Sequence, residues 1–304
     1  MTRRRDLDEH RRKLDEIHDI MNSMKTLAYM ETRKLGRVLE TQQKSVADIE
    51  AMAADFVSFF PDTLPADKET TEVYLLLGSE RGFCGNFNES LLPVMESCIA
   101  ENEGNEPILI AIGHKLHTAL ENEPRLIASI DGANVMEEIE AVLMSISETF
   151  NRLQAAYPAL SLYVIYHSTG QGEEPQNSNQ QVIMQKLIPP FQRYQGKQAG
   201  FSYPPILNVA PADFLLELTD HYLFAALHEI LYTSLMAENY RRVQHLEGAV
   251  EHLEDKAKEL TSQSNALRQE EIIEEIEVIL LSSTNIDSGM DIGLGHTRTH
   301  ATED

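Results

Sequence analysis

The chain has 304 residues, 42% hydrophobic and 24% charged, enough length for two ordinary domains and enough apolar content to bury a core, which argues against wholesale disorder. Its formal net charge of −24, from 25 basic and 49 acidic residues, argues against nucleic acid as a partner. No apolar run nears the ~20 residues of a membrane-spanning helix, and Cys84 and Cys98 are too few for a disulfide framework or a cysteine-built zinc site.

Arg3 to Arg5 open the chain, but Asp6, Asp8 and Glu9 follow where a signal peptide would turn apolar and a transit peptide would avoid acids. A reducing compartment is therefore expected. The charge is uneven along the chain. Residues 1–60 carry 11 basic and 11 acidic side chains, residues 61–210 carry 8 and 19, and residues 211–304 carry 6 and 19.

From Thr2 to Phe60 there is no proline and one glycine, Gly36. With Leu7 at heptad position a, the series Leu7, Leu14, Met21, Ala28, Leu35, Gln42, Ile49 and Phe56 is apolar at all but one position. The matching d series is His10, Ile17, Met24, Glu31, Val38, Ser45, Met52 and Phe59. An apolar seam kept over so many heptads predicts a coiled-coil helix over residues 1–60.

Residues 61–210 change character. Glu72–Gly78, Pro107–Ile112, Leu160–Tyr166 and Gln181–Leu187 read as short strands. Helical stretches fall near Glu89–Ala100, His114–Leu120 and Asn134–Ala156. Alternating strand and helix predicts a mostly parallel sheet flanked by helices, with a polar hairpin loop from Gly170 to Asn179 before the last strand.

Pro211, Ala212 and Asp213 make a helix entry. A second seam then runs through Val243, Leu246, Val250, Leu253, Ala257, Leu260, Ser264 and Leu267, and slips onto Ile272 or Ile273, Ile276 and Ile279. The simplest reading pairs residues 1–60 and 211–286 as an antiparallel coiled coil with a Rossmann-like α/β lobe inserted at 61–210. Two separate coiled coils that recruit other chains are the alternative. Residues 287–304 carry Gly289, Gly293 and Gly295 and are expected to be a disordered tail.

Candidates for chemistry are few. Gly78-Ser-Glu-Arg-Gly-Phe-Cys-Gly-Asn-Phe-Asn88 lies between a strand and a helix, where α/β proteins keep their sites, yet it has neither dinucleotide nor P-loop spacing. Cys84 could be a nucleophile at a helix start, or the loop could be a tight turn whose glycines let backbones approach. No histidine is near it in sequence, which favours the turn. His114 with His117, and His296 with His300, have ligand spacing without an accompanying carboxylate motif, so no metal site is expected. No catalytic residue and no cofactor is assigned.

Ser79-Glu-Arg-Gly-Phe-Cys-Gly-Asn-Phe-Asn88 between two terminal helices resembles the Ser-Asp-Arg-Gly-Leu-Cys-Gly-Gly-Phe-Asn motif of the gamma subunit of F-type ATP synthases. On the last helix Glu238, Arg242, Ala249, Leu260, Asn265, Arg268, Gln269, Ile272, Glu275 and Ile279 are similar to the family's residues. Met24-Lys25 with Leu27-Ala28 resembles its Met-Lys-Met-Val-Ala, and Gln185–Pro190 the strand that ends its lobe. The likeness covers about residues 1–286. Departures are Asp19, Asn22 and Glu31 where the family has extra lysines, the strong acidity, and a tail, Asp287 to Asp304, without counterpart.

The resemblance implies a non-catalytic rotor shaft, with the coiled coil inside a ring of alpha and beta ATPase subunits. The lobe would meet an epsilon subunit and the membrane rotor ring, at the cytoplasmic face of a bacterial plasma membrane. It implies partner contacts at Met24, Lys25, Glu238, Arg242, Arg268 and Gln269. A non-rotary coiled-coil adapter or tether is the competing expectation. The coupling ion, proton or sodium, is chosen by other subunits.

Overall fold

The computed structural model describes residues 2–65, 70–101, 106–157, 159–168, 181–196 and 200–290, the side chains of residues 2, 3, 101 and 282–290 excepted. Helix α1 runs Thr2–Phe59 and helix α5 runs Pro211–Met290. Between them lie strands β1 (Thr71–Leu77), β2 (Ile108–Ile112), β3 (Leu126–Ile130), β4 (Leu160–Ser168) and β5 (Gln181–Ile188). Helices α2 (Leu91–Glu101), α3 (His114–Ala119) and α4 (Ile139–Ala156) alternate with the first four strands. The chain divides into two compact units, Met1–Asn22 with Gly248 onward, and Ser23–Glu247.

The first unit is a helix pair. Arg4 Nη1 donates to Glu271 Oε2 at 2.9 Å, Ser264 Oγ donates to Asp8 Oδ1 at 3.0 Å, and His18 Nε2 lies 3.4 Å from Glu254 Oε1. Numbers rise on one helix as they fall on the other, so the pair is antiparallel. Val250 and Leu260 are buried in its seam, and Leu253, Ala257, Ser264 and Leu267 are half-buried, as the heptads of α5 predict. Past Glu271 the seam opens. Ile272, Ile273, Ile276 and Ile279 are all exposed, because Arg4 already pairs with Glu271 and little of α1 remains beyond it to cover them.

The expected register of α1 needs a correction. Its a series is the buried or half-buried edge, but the companion positions lie four residues on, not three. Arg11, His18 and Lys25 are half-buried and Thr32, Leu39, Val46 and Ala53 buried, while Ile17, Ser45 and Met52 of the expected d series are exposed. Leu39, Val46 and Ala53 make the more apolar choice in the second half of the helix, and an unbroken helix carries that register back to its start. There Arg11 and Lys25 can lay apolar stems along the seam and keep their charges wet.

In the second unit the sheet order is β3-β2-β1-β4-β5, parallel except for β5, which pairs antiparallel with β4. Successive side chains of a strand face opposite sides, and β1 shows both sides buried. Val73, Leu75 and Leu77 join a core with Ala53, Phe56 and Val57 of α1 and Leu215, Leu218 and Tyr222 of α5. Tyr74 and Leu76 join a second core with Leu91 and Met95 of α2 and Leu116 of α3. Each such side chain contributes about 1.5–3 kcal/mol by leaving water, so the sheet holds the terminal helices on one face and α2 with α3 on the other.

Ties of specific geometry add to this packing. Gln42 Nε2 donates to the Ala225 carbonyl at 3.0 Å, Glu31 accepts from the Met136 amide at 3.3 Å, and Lys34 pairs with Glu137. Among the described residues, β3 is the strand the sequence did not show. It is a five-residue edge strand with Ile127 exposed, too short and too mixed to stand out. Helix α4 begins at Ile139, after a 3-10 turn at Met136–Glu138, and not at Asn134. Helix α5 continues to Met290, so residues 287–290 of the expected tail are helical, and residues 291–304 lie outside the described residues.

Candidate functional site

The loop after β1 is built around contacts that admit few other residues. A Cβ on Gly78 would stand 2.3 Å from Leu116 Cβ and 2.6 Å from Asn88 Oδ1, so only glycine fits. Ser79 N donates to Asn88 Oδ1 at 2.9 Å, and Asn88 Nδ2 returns a bond to Ser79 Oγ at 2.9 Å, closing the loop across nine residues. Phe83 and Gly85 take the left-handed conformation, φ 64 and φ 62. That is free for Gly85 and costs Phe83 roughly 1–2 kcal/mol.

Cys84 sits inside this loop, 3% exposed, its Sγ 3.3 Å from Ser79 Oγ. Burial pushes the thiol above its ordinary value, outweighing the help of Ser79 and Arg242, so the thiolate a nucleophile needs is disfavoured. The described histidine nearest this loop by contact is His167 on β4, which stacks on Phe87 at 4.0 Å and bonds the Phe87 carbonyl through Nε2 at 2.8 Å. Burial lowers its pKa, and its Nδ1 has no hydrogen-bond partner among the described residues. It braces the loop and touches no thiol. Neither cysteine forms a disulfide.

The loop is tied to α5 by a buried ion pair. Arg242 pairs with Glu238 one turn back, with side-chain exposures of 7% and 5%. Its guanidinium also donates to Asn239 Oδ1 at 2.9 Å, to the Gly82 carbonyl at 3.3 Å and to the Arg81 carbonyl at 3.4 Å. Burial pushes the Glu238 carboxyl up, to about 7, against the pull of Arg242. Arg241 beside it reaches Asn86 Oδ1 at 3.4 Å. One turn of α5 therefore grips the loop by side chain and by backbone.

This changes how two of the sequence-derived contacts are read. Glu238 and Arg242 are 3% and 6% exposed, and Arg242 is bonded to the chain's own loop. The expectation of partner contacts there came from the resemblance of this helix to the family's last helix. Their i, i+4 spacing on one helix was the available signal that the two charges could pair. Asn88 closes the cysteine motif read from the sequence, whereas Asn239 and His167, which complete the network, had no signal of their own. Met24 and Lys25 are half-buried, and Arg268 and Gln269 are exposed. Exposed apolar side chains accompany them: Leu27, Tyr29 and Met30 in the second unit, and Ile17, Ile20, Ile272, Ile273, Ile276 and Ile279 in the first.

The candidate nucleophile of this loop, Cys84, is held as a buried thiol. Among the described residues no helix is long and apolar enough to cross a membrane.

A family model described as ATP synthase matches residues 3–284. The ATP synthase gamma chain of Clostridium botulinum strain Langeland is 24% identical over 279 residues, covering 89% of this chain and 94% of its own. The ATP synthase gamma chain of Clostridium kluyveri is 25% identical over 276 residues, covering 86% and 90%. Among solved structures, a chain of the Euglena gracilis mitochondrial ATP synthase, from its OSCP, F1 and c-ring assembly in rotational state 3, aligns with a TM-score of 0.62 at 16% identity, covering 98% and 99%. A central stalk and c-ring chain of the Tetrahymena thermophila mitochondrial ATP synthase aligns at 0.52 and 16%, covering 76% and 99%. These structural likenesses share the fold.

Proposed function

We propose, from the premise that the chain belongs to the ATP synthase gamma-chain family, that it is the central rotor shaft of an F-type ATP synthase, coupling ion flow through a membrane sector to ATP synthesis or hydrolysis. The observation that carries the mechanism is the buried grip of Arg242 and Glu238 on the cysteine loop. A shaft must pass torque between its lobe and its helices without slack. A loop held by a desolvated ion pair, with the sheet packed directly on α1 and α5, supplies that stiffness. A tether would need only the helices, and the family match takes in the lobe as well.

In this reading residues 1–60 and 211–286 form the shaft and residues 61–210 the lobe that meets an epsilon subunit and a membrane rotor ring. Alpha and beta subunits surround the helices. Met24, Lys25, Arg268 and Gln269 face them, with the exposed isoleucines of α5 supplying an apolar bearing surface. As the shaft turns, each beta subunit meets a different face, which biases its nucleotide site between open and closed states. The chain itself performs no catalysis; nucleotide chemistry belongs to its partners. It works peripherally, at the cytoplasmic face of a bacterial plasma membrane.

Reconstitution tests this. Alpha and beta subunits from the same source, mixed with and without the full chain, should form a stable hexamer-plus-one complex with ion-pump activity once joined to the membrane sector. A chain that folds yet does not join the hexamer would refute the assignment.

A further inference from the structure

Where α1 ends and α5 begins, a cavity of 550 Å³ opens in the second unit. Its floor is Phe56, 2% exposed, whose ring lies 4.9 Å from that of Phe214. Phe59 completes the wall, and Phe201 and Tyr203, exposed at 67% and 83%, form the rim. Five aromatic rings thus surround one space, and the single carboxylate that lines it belongs to Asp55. A Cβ on Gly200 would come within 3.1 Å of Asp55 Oδ1, so only the small glycine backbone packs beside that oxygen. Arg193, a base on the neighbouring segment, is held by Glu50. Asp55 makes no ion pair among the described residues.

The volume falls within the range of ligand sites, ~300–1,000 Å³. Its composition is more telling than its size. Aromatic faces carry negative electrostatic potential and attract cations whose hydration is weak, and quaternary ammonium groups are the recurrent occupants of aromatic cages. A neutral apolar ligand would gain nothing from Asp55, and a strongly hydrated metal ion would gain nothing from the rings. An anion would meet the carboxylate and the ring faces with the wrong sign. We infer that this cavity is a binding site for a small organic cation with apolar substituents, a quaternary or tertiary ammonium, seated among the rings with its charge toward Asp55. The site belongs to the chain alone and does not depend on its role as a shaft.

Calorimetric titration of the full chain tests it with three probes: benzyltrimethylammonium, choline, and 3,3-dimethyl-1-butanol, the uncharged isostere of choline. Benzyltrimethylammonium should bind tightest, and choline at least tenfold tighter than its isostere. Asp55→Asn should weaken both cations about tenfold and leave the isostere unchanged. Tyr203→Ala and Phe201→Ala, at exposed positions that leave the core intact, should weaken the cations severalfold while circular dichroism stays that of the parent. Equal binding of choline and its isostere overturns the proposal. So does unchanged cation affinity in Asp55→Asn, or absence of binding by a folded parent chain.

Discussion

Replacing Arg242 by alanine tests the grip on the cysteine loop. The substitution leaves the Glu238 carboxylate, with 5% side-chain exposure, without its counter-charge, and leaves the Arg81 and Gly82 carbonyls without their donor. Breaking a buried pair by removing one partner costs about 3–5 kcal/mol, because a charge stays desolvated. A domain's whole stability is about 5–15 kcal/mol, so the loss should be large. Removing both partners, Glu238→Ala with Arg242→Ala, takes away the stranded charge and should cost clearly less than the two single losses together. The chain has no tryptophan, so urea unfolding followed by circular dichroism is the assay. The sign of the pH effect is also fixed. Glu238 already has a raised carboxyl, to about 7, so its contribution is most favourable below the ordinary 4.5 and is lost as pH rises through about 7. Without Arg242 to pull it down it rises further, so Arg242→Ala should be worse at pH 8 than at pH 6. A loss under about 1 kcal/mol, or an additive double mutant, would mean that Arg242 does not hold the loop.

Cys84→Ser should cost about 1 kcal/mol in urea unfolding and leave ATP hydrolysis by the assembled complex near the parent rate, since the thiol is buried packing. Gly78→Ala should cost ~3 kcal/mol or prevent folding, because its Cβ would be forced to 2.3 Å from Leu116 Cβ. His167 is buried with a lowered pKa, so below its ordinary 6.5 the unfolded chain takes up a proton that the folded chain resists, and stability falls. His167→Gln should flatten that acid-side loss, read as unfolding midpoints between pH 5 and pH 7. Arg268→Ala with Gln269→Ala should weaken ATP-driven ion pumping well beyond Lys256→Ala with Lys258→Ala, whose lysines pair with Glu259 and Asp255 on their own helix. Equal small losses would remove Arg268 and Gln269 from the contact surface.

What the sequence showed and what it hid follow from how local each signal is. Two proline-free stretches with a seven-residue repeat identify long helices, since every turn repeats the same demand. The strands β1, β2 and β4 stood out because both faces of the sheet are covered, leaving unbroken apolar runs. Strand β3 failed to stand out because it is only five residues long and its run is interrupted by Ala128 and Ser129. The α1 register turned on a choice between steps of three and four residues. Near the start, His10 and Ile17 compete with Arg11 and His18, and only Leu39, Val46 and Ala53, far along the helix, decide it. The loop's tight glycines were legible as a turn. That Arg242 faces that turn was not, because 160 residues separate it from the Gly82 carbonyl it holds and only the folded chain brings them together.

The central claim is that this chain turns. The direct measurement fixes the alpha and beta hexamer, carrying the full chain, to a surface and attaches a bead to the lobe through Lys115→Cys on α3, an exposed position. On adding ATP the account predicts sustained, stepwise rotation of the bead in one direction, stopping when ATP is removed. A complex that hydrolyses ATP while the bead stays fixed or only fluctuates about one angle would contradict it.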